Sequence, residues 1–315
     1  IRSCGLDECI ERGSEAIGWD DVEQPDDEHL HRGIGVALSA QGTGVAGDEL
    51  GAAQLMMNED GSFHLKVGGV DIGTGADTAL IQIAAEVLGV PEEDIIIQAA
   101  DTDVTPFDYG AYASSTTYIS GSAVKGAAED AKEKLLTWGS KMLEEPVEVL
   151  ETGDGTVYSE ETGESVTLEE IGYETTYGDE TREQILGQSS FSTEESPPPF
   201  AAQFVDVTVD DRTGEFDVNR LAVAVDCGTA INPEMARGQV EGGNHMSFEM
   251  AVSDGVTFDD EGRAEVTDYD EYDLPTATET PPIDAMLVET HEPTGPFGAK
   301  SVAEVPTNTV PPALS

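Results

Sequence analysis

Positive charge is what this sequence has least of. Only 14 Lys and Arg stand against 65 Asp and Glu, a formal net charge of −51. Phosphate backbones are gripped by Lys and Arg, so the shortage excludes nucleic acid as a partner. The acids are spread along the whole chain rather than gathered in a tail. That pattern fits a uniformly acidic, solvated surface of the kind found in halophiles, where about 1 M salt shortens the Debye length to ~3 Å and screens the self-repulsion. Cysteine is scarce too. Cys4, Cys9 and Cys227 are odd in number and unpaired in spacing, which gives neither a disulfide framework nor a zinc site. No metal ligand is therefore expected from this chain. No apolar run approaches a membrane span and no secretory signal opens the chain, so the expectation is a cytoplasmic protein without a membrane partner. The glycine turns also lack the Lys of a Walker loop and the third glycine of a dinucleotide fingerprint.

What is present is a foldable chain. Hydrophobic residues make up 38% of 315 residues, enough for a sizeable core. The chain starts without Met and stops after "TVPPALS", which reads as something cut or split from a longer protein. Residues 1–31 read as a helix followed by an acidic stretch, and "RGIGVALSAQGTG" as an alternating strand running into glycines. "AQLMMNEDGSFHLKVGGVDIGTG" reads as a hairpin, and "DTALIQIAAEVLGV" as a helix with Leu80, Ile83, Ala84, Val87 and Leu88 on its apolar face and Gly89 as its end. "PEEDIIIQAADT" reads as helix, turn and strand. Residues from Thr116 onward form a long helix with small residues on one face, followed by two short strands and a helix start. Residues 173–200 read as a polar loop, and 201–233 as a hairpin around Asp-Arg-Thr-Gly. "EMARGQVEGGNHMSFEM" reads as a helix interrupted by glycines, and the last forty residues as irregular. Mixed clusters of strands and helices give an α+β class.

Three joints carry chemistry. "VDIGTGADTA" puts Gly73, Thr74 and Gly75 between a strand and a helix, where backbone N–H groups can cradle an anion. "GAYASSTTYISG" opens a helix with five consecutive hydroxyls, Ser114 to Tyr118, when capping needs one. "GQVEGG" sets Gln239 among glycines. With the terminal "GAK" loop these joints imply one large, polar, phosphate-bearing ligand held mainly by backbone.

In order along the chain, "VDIGTGADTALIQIAAEVLGV", "DTDVTPFDYGAYASSTTYISGSAV", "VDCGTAINP", "GQVEGG" and "GPFGAKSVAEVP" resemble the molybdenum-binding subunit of the xanthine dehydrogenase/aldehyde oxidase family, from about residue 30 to the end. The resemblance implies the second, C-terminal molybdopterin-binding domain, most similar to the xanthine and nicotinate dehydrogenase branch. It implies two α+β subdomains with mixed sheets, at residues 32–200 and 201–315, with 1–31 connecting from a preceding region and the C-terminal part truncated. It implies that Glu304, which closes the GAKxxxE segment, is the general base beside the molybdenum, a role that needs a carboxylate on a tight, shielded loop. Gly73, Thr74 and Gly75 would line the pterin. Ala113, Ser114, Ser115, Thr116 and Thr117 would hold the pterin and its phosphate, and Gln239 and Gln203 would also contact the cofactor. Many relatives carry Gln at the place of Thr74, Arg at the place of Ser115 and Gly at the place of Ala303. Lys300 either orients the loop or pairs with an acid. His245 either approaches the pocket or packs, and Cys227 is expected in the core. Residues 42–51 are expected along the substrate channel.

The implied cofactor is molybdopterin, as the cytosine dinucleotide or a similar form. The implied partners are a chain or domain carrying the first molybdopterin-binding domain, a 2Fe-2S subunit, an FAD subunit and a small-molecule substrate. The implied reaction is hydroxylation of a purine or other N-heterocycle such as xanthine or hypoxanthine, with water as the oxygen source. Aldehyde, nicotinate or carbon monoxide dehydrogenase types of the same family stand beside it, and a non-catalytic remnant half-subunit is the rival from another class.

Overall fold

The computed structural model describes residues 1–179 and 182–315. In chain order the elements are α1 (Leu6–Ile17), β1 (Leu30–Ala40), β2 (Gly51–Met57), β3 (Phe63–Val67), α2 (Ala76–Leu88), β4 (Ile95–Ala99), α3 (Thr116–Leu143), β5 (Leu150–Gly153), β6 (Thr156–Ser159), β7 (Ser165–Thr167), α4 (Leu168–Tyr177), β8 (Leu186–Phe191), β9 (Phe200–Asp210), β10 (Phe216–Asp226), α5 (Pro233–Val252), β11 (Ile283–Val288) and α6 (Val310–Leu314). They form two units that interleave in sequence. The first comprises residues 1–42, 197–292 and 300–315, and the second 43–196 and 293–299.

The first unit is a four-stranded mixed sheet, β1-β9-β10-β11, in which only the β10–β11 pair is parallel. Helix α1 covers one face, where Cys9 and Ile17 join Ala202, Phe204, Ala222, Ala224 and Val288. The other face is covered by α5 and α6, with Ala201, Val223, Val225, Val240 and Val305 in one cluster and Val205, Leu221, Phe248, Val310 and Ala313 in a second. Residues Phe200–Asp206 are therefore buried without a break, and the strand does not alternate between core and solvent. At Gly13 a Cβ would strike the Phe204 ring, so glycine is what lets α1 seat there. The first 31 residues, expected to connect from a preceding region, contribute α1 to this core.

The second unit holds the mixed sheet β4-β3-β2-β8 and the smaller β5-β6-β7. The face bearing Ala53, Leu55, Met57, Phe63, Leu65 and Val67 is fully buried. Helix α2 buries the apolar face read from its spacing and stops at Gly89, whose φ of +69° is left-handed. Helix α3 runs for 28 residues and buries Gly121, Ala123, Ala127, Ala128 and Ala131. The small face admits β8 so closely that a Cβ at Gly187 would collide with the Ala127 carbonyl.

Four local readings need correction. Residues 173–200, read as a loop, contain β8, a strand whose Gln and Ser residues hide its ladder partner β2. Three short strands, not two, follow α3. The glycines of α5 do not interrupt it: the helix is continuous from Pro233 to Val252, and Gly243 serves close packing against Pro306 and Ala303 O. The last forty residues include β11, paired with β10.

Candidate cofactor-binding site

Residues proposed from the sequence fall in both units. In the second unit, Gly73 and Gly75 take φ of +99° and +77°, and a Cβ at Gly73 would meet only open space. The N–H groups of this turn already have an anion. Asp71 Oδ1 accepts from Gly73 at 2.8 Å, Thr74 at 2.9 Å and Gly75 at 3.2 Å. The cradle read from the glycines is filled by the chain's own carboxylate, which leaves the open side of Gly73, rather than its N–H, to approach a ligand. Burial pushes the Asp71 carboxyl up, but these four-way donations, including that of Asp77, hold it below its ordinary value. Asp77 goes the other way, raised by burial and then by Asp71.

The second joint lies beside the first, since a Cβ at Gly69 would touch Ser120 and Thr116. Ala113 and Ser114 both sit in the left-handed region, at φ 48° and 51°, a strained pair of the kind that clusters at ligand clamps. Ser115 is the N-cap of α3, yet no side chain caps that helix. The hydroxyls of this run are thus not used as helix caps. Asp108 pins the preceding loop to α3, accepting from Ser120 Oγ at 2.7 Å and the Gly110 N–H at 2.8 Å. The stretch 42–51 closes on the same place, with Gly44 N donating to Ala113 O at 2.9 Å.

Glu49, unremarked in the sequence, is 3% exposed. Its Oε1 accepts from Val45 N at 2.8 Å, while its buried Oε2 has no partner. A Cβ at Gly44 would lie 2.8 Å from that Oε2 and 3.2 Å from Ser115 Cβ, which places the lone acceptor beside the strained loop. A buried acceptor of this kind calls for a donor. A pterin or cytosine ring offers such N–H groups, so the residues present fit the cofactor that the resemblance implies.

In the first unit, Glu304 opens a short 3-10 helix, Val305–Asn308. Gln41 Nε2 donates to Glu304 Oε2, and Asn308 Nδ2 donates to Gln41 Oε1 at 3.2 Å. Behind this loop Lys300 reaches Asp226 at 2.7 Å, both side chains fully shut off from solvent. Asp226 also accepts from Thr290 Oγ1 at 2.7 Å and from the N–H of Gly5 at 2.7 Å and of Gly228 at 3.1 Å. Of the two readings of Lys300, the pairing with an acid is the one seen, and its backbone N–H also donates to Cys227 O at 2.8 Å. Cys227 lies in the core, its thiol pushed up to about 12 by burial and then by Asp226.

Helix α5 brings Gln239 toward the same loop. A Cβ at Gly243 would press on Pro306 and on Ala303 O, while Gly238 and Gly242 border open space. Gln239 is half-buried between them. Gln203 is different. It is 0% exposed, its Oε1 accepts from Asn244 Nδ2 and from Thr309 Oγ1 at 3.2 Å, and its Nε2 donates to Phe204 O at 3.1 Å. This amide ties α5 to the segment that follows Glu304. His245 keeps a buried Nδ1 without a partner, as does Asn244 Oδ1.

Asp71, Glu49, Gln41 and Asn308 escaped the sequence reading because each is one polar residue among many.

Comparison with known proteins gives one answer. The molybdopterin cofactor-binding domain family matches residues 12–281. An Escherichia coli protein described as "Probable hypoxanthine oxidase XdhD" is 36% identical over 314 residues, 99% of this chain and 32% of that protein. The xanthine dehydrogenase molybdenum-binding subunit of Escherichia coli is 35% identical over 315 residues, 97% of this chain and 42% of that protein. The structure of reconstituted CO dehydrogenase from Oligotropha carboxidovorans superposes with a TM-score of 0.91 at 25% identity, over 99% of this chain and 41% of that one. The chain thus spans 32% and 42% of the length of those two curated relatives.

Proposed function

The chain belongs to the xanthine dehydrogenase family of molybdopterin cofactor-binding domains, and on that premise we propose that it is the second such domain of a molybdenum hydroxylase acting on a purine or related N-heterocycle. In that reaction a C–H bond is replaced by a C–O bond with oxygen from water, two electrons leave the substrate and two protons are released. The bound molybdenum cofactor supplies the two-electron acceptor. Glu304 takes up the proton that water loses as its oxygen is transferred. The single observation that carries this reading is the seating of Glu304: a half-buried carboxylate on a tight turn, anchored from behind by the buried Lys300–Asp226 pair. General bases need that combination of fixed geometry and partial shielding.

In the second unit, Gly73 and the segment Ala113–Thr117 line the cofactor and Glu49 accepts one of its N–H groups. In the first, the resemblance assigns Gln239 on α5 to the cofactor. The rest of the active site comes from a first molybdopterin-binding domain, and electrons leave through 2Fe-2S and FAD partners in the cytoplasm. Among the described residues no helix is long and apolar enough to cross a membrane.

The test uses the native complex that contains this chain, with molybdenum content and xanthine-dependent dye reduction compared for wild type and Glu304→Gln. The reading expects molybdenum in both and a loss of rate on the order of 10²-fold or more in the variant. Molybdenum near zero in the wild-type complex would leave a non-catalytic remnant. Molybdenum present with both proteins silent on xanthine would move the substrate to nicotinate-like heterocycles or aldehydes.

A further inference from the structure

Gln41 stands one residue beyond β1, whose last residue, Ala40, is still paired with Phe200 of β9. Its amide spans the turn that carries Glu304, donating from Nε2 to Glu304 Oε2 and accepting at Oε1 from Asn308. Charge decides the direction of both bonds. An ionised carboxylate can only accept, so Gln41 must turn its NH2 toward Glu304. Its oxygen then faces Asn308, which must donate. The reverse setting would put two oxygens together with no proton between them.

The turn itself does not depend on Gln41. Thr307 closes it with its N–H on Glu304 O at 3.0 Å and its hydroxyl on the same oxygen at 2.7 Å. What Gln41 adds is the orientation of the side chain, fixed from the end of a strand paired along its length. We propose that Gln41 is a positioning residue: it holds the Glu304 carboxylate in the orientation that proton transfer requires, with Asn308 fixing the amide. This rests on Glu304 being the base of the proposed function.

The experiment compares the native complex with Gln41→Ala, Gln41→Glu, Glu304→Gln and the Gln41→Ala/Glu304→Gln double variant. It reads kcat and KM separately, molybdenum content, and the Glu304 rotamer in crystals of the complex. Loss of one charge-assisted bond that orients the reacting group predicts a fall in kcat of about 10- to 100-fold for Gln41→Ala, with KM and molybdenum unchanged. Gln41→Glu keeps the shape but removes the donor, and it falls with Gln41→Ala. The double variant is no slower than Glu304→Gln alone, because the effect passes through Glu304. Crystals of Gln41→Ala show Glu304 in more than one rotamer. A raised KM with unchanged kcat, full activity in Gln41→Glu, additive losses in the double variant, or a single wild-type rotamer each overturns the proposal. Wild-type turnover in Glu304→Gln instead overturns the general-base assignment itself, and so is told apart from a failure of Gln41.

Discussion

Asp226 and Lys300 are two charges from which water is excluded, so each must be answered by protein. Burial pushes the Asp226 carboxyl up, but donation from Lys300, Thr290, Gly228 and Gly5 more than offsets it, and the group ends below its ordinary value. A carboxyl lowered by folding contributes stability in full above about pH 4, and that contribution is lost as pH falls through the lower folded value. Removing only Lys300 leaves the carboxylate buried and uncompensated. Lys300→Met is expected to cost about 3–5 kcal/mol, a drop in Tm of roughly 10 °C. The double variant Asp226→Leu/Lys300→Met, which removes both charges, melts above Lys300→Met. Thermal melts of the three proteins decide it, and a Lys300→Met protein as stable as wild type would mean that the pair does not anchor the Glu304 loop.

At the scale of the element, the start of α2 shows what a sequence hides. Two glycines between a strand and a helix signal a cradle of N–H groups, and the cradle exists, but Asp71 two residues earlier fills it. Periodicity does reveal α2, because an apolar face every three or four residues has one explanation. It also exposes the small-residue face of α3. It misses β8, since a strand of Gly, Gln and Ser is specified by the neighbour that pairs with it rather than by its own side chains. The candidate cofactor loops and Glu304 stand out only through their ordered resemblance, and Gln41 and Glu49 not at all, because their contacts are made by the fold. The α2 turn offers a clear test. Asp71→Ala is expected to lower stability by about 1 kcal/mol, as loss of a helix N-cap does. The difference from wild type should shrink as acid protonates Asp71, whose folded value is depressed, and vanish below it. Denaturant melts at neutral and acid pH measure this, and an equal loss at both would show that the carboxylate charge is not what the N–H groups hold.

Over the whole molecule, a formal net charge of −51 acts on every element at once. Cations are too few to answer it, and several of them are spent locally in pairs such as Arg212 with Asp210 and Arg32 with Asp206. Most acids therefore face one another across solvent, where the interaction depends on ionic strength. Raising salt from 0.1 M to about 1 M cuts the Debye length from ~10 Å to ~3 Å, so repulsion between neighbouring carboxylates is largely extinguished over that range. The unfolded chain is more expanded and suffers this repulsion less, so salt stabilises the fold. Melts in KCl should thus show Tm climbing steeply up to about 1 M and flattening beyond, whereas sucrose, which adds no ions, gives no such early rise. A magnesium salt at equal ionic strength should follow the same curve or lie above it. If Tm instead stays flat across the KCl series, the acids are balanced by folded-state contacts, and the acidic surface is not an adaptation to salt.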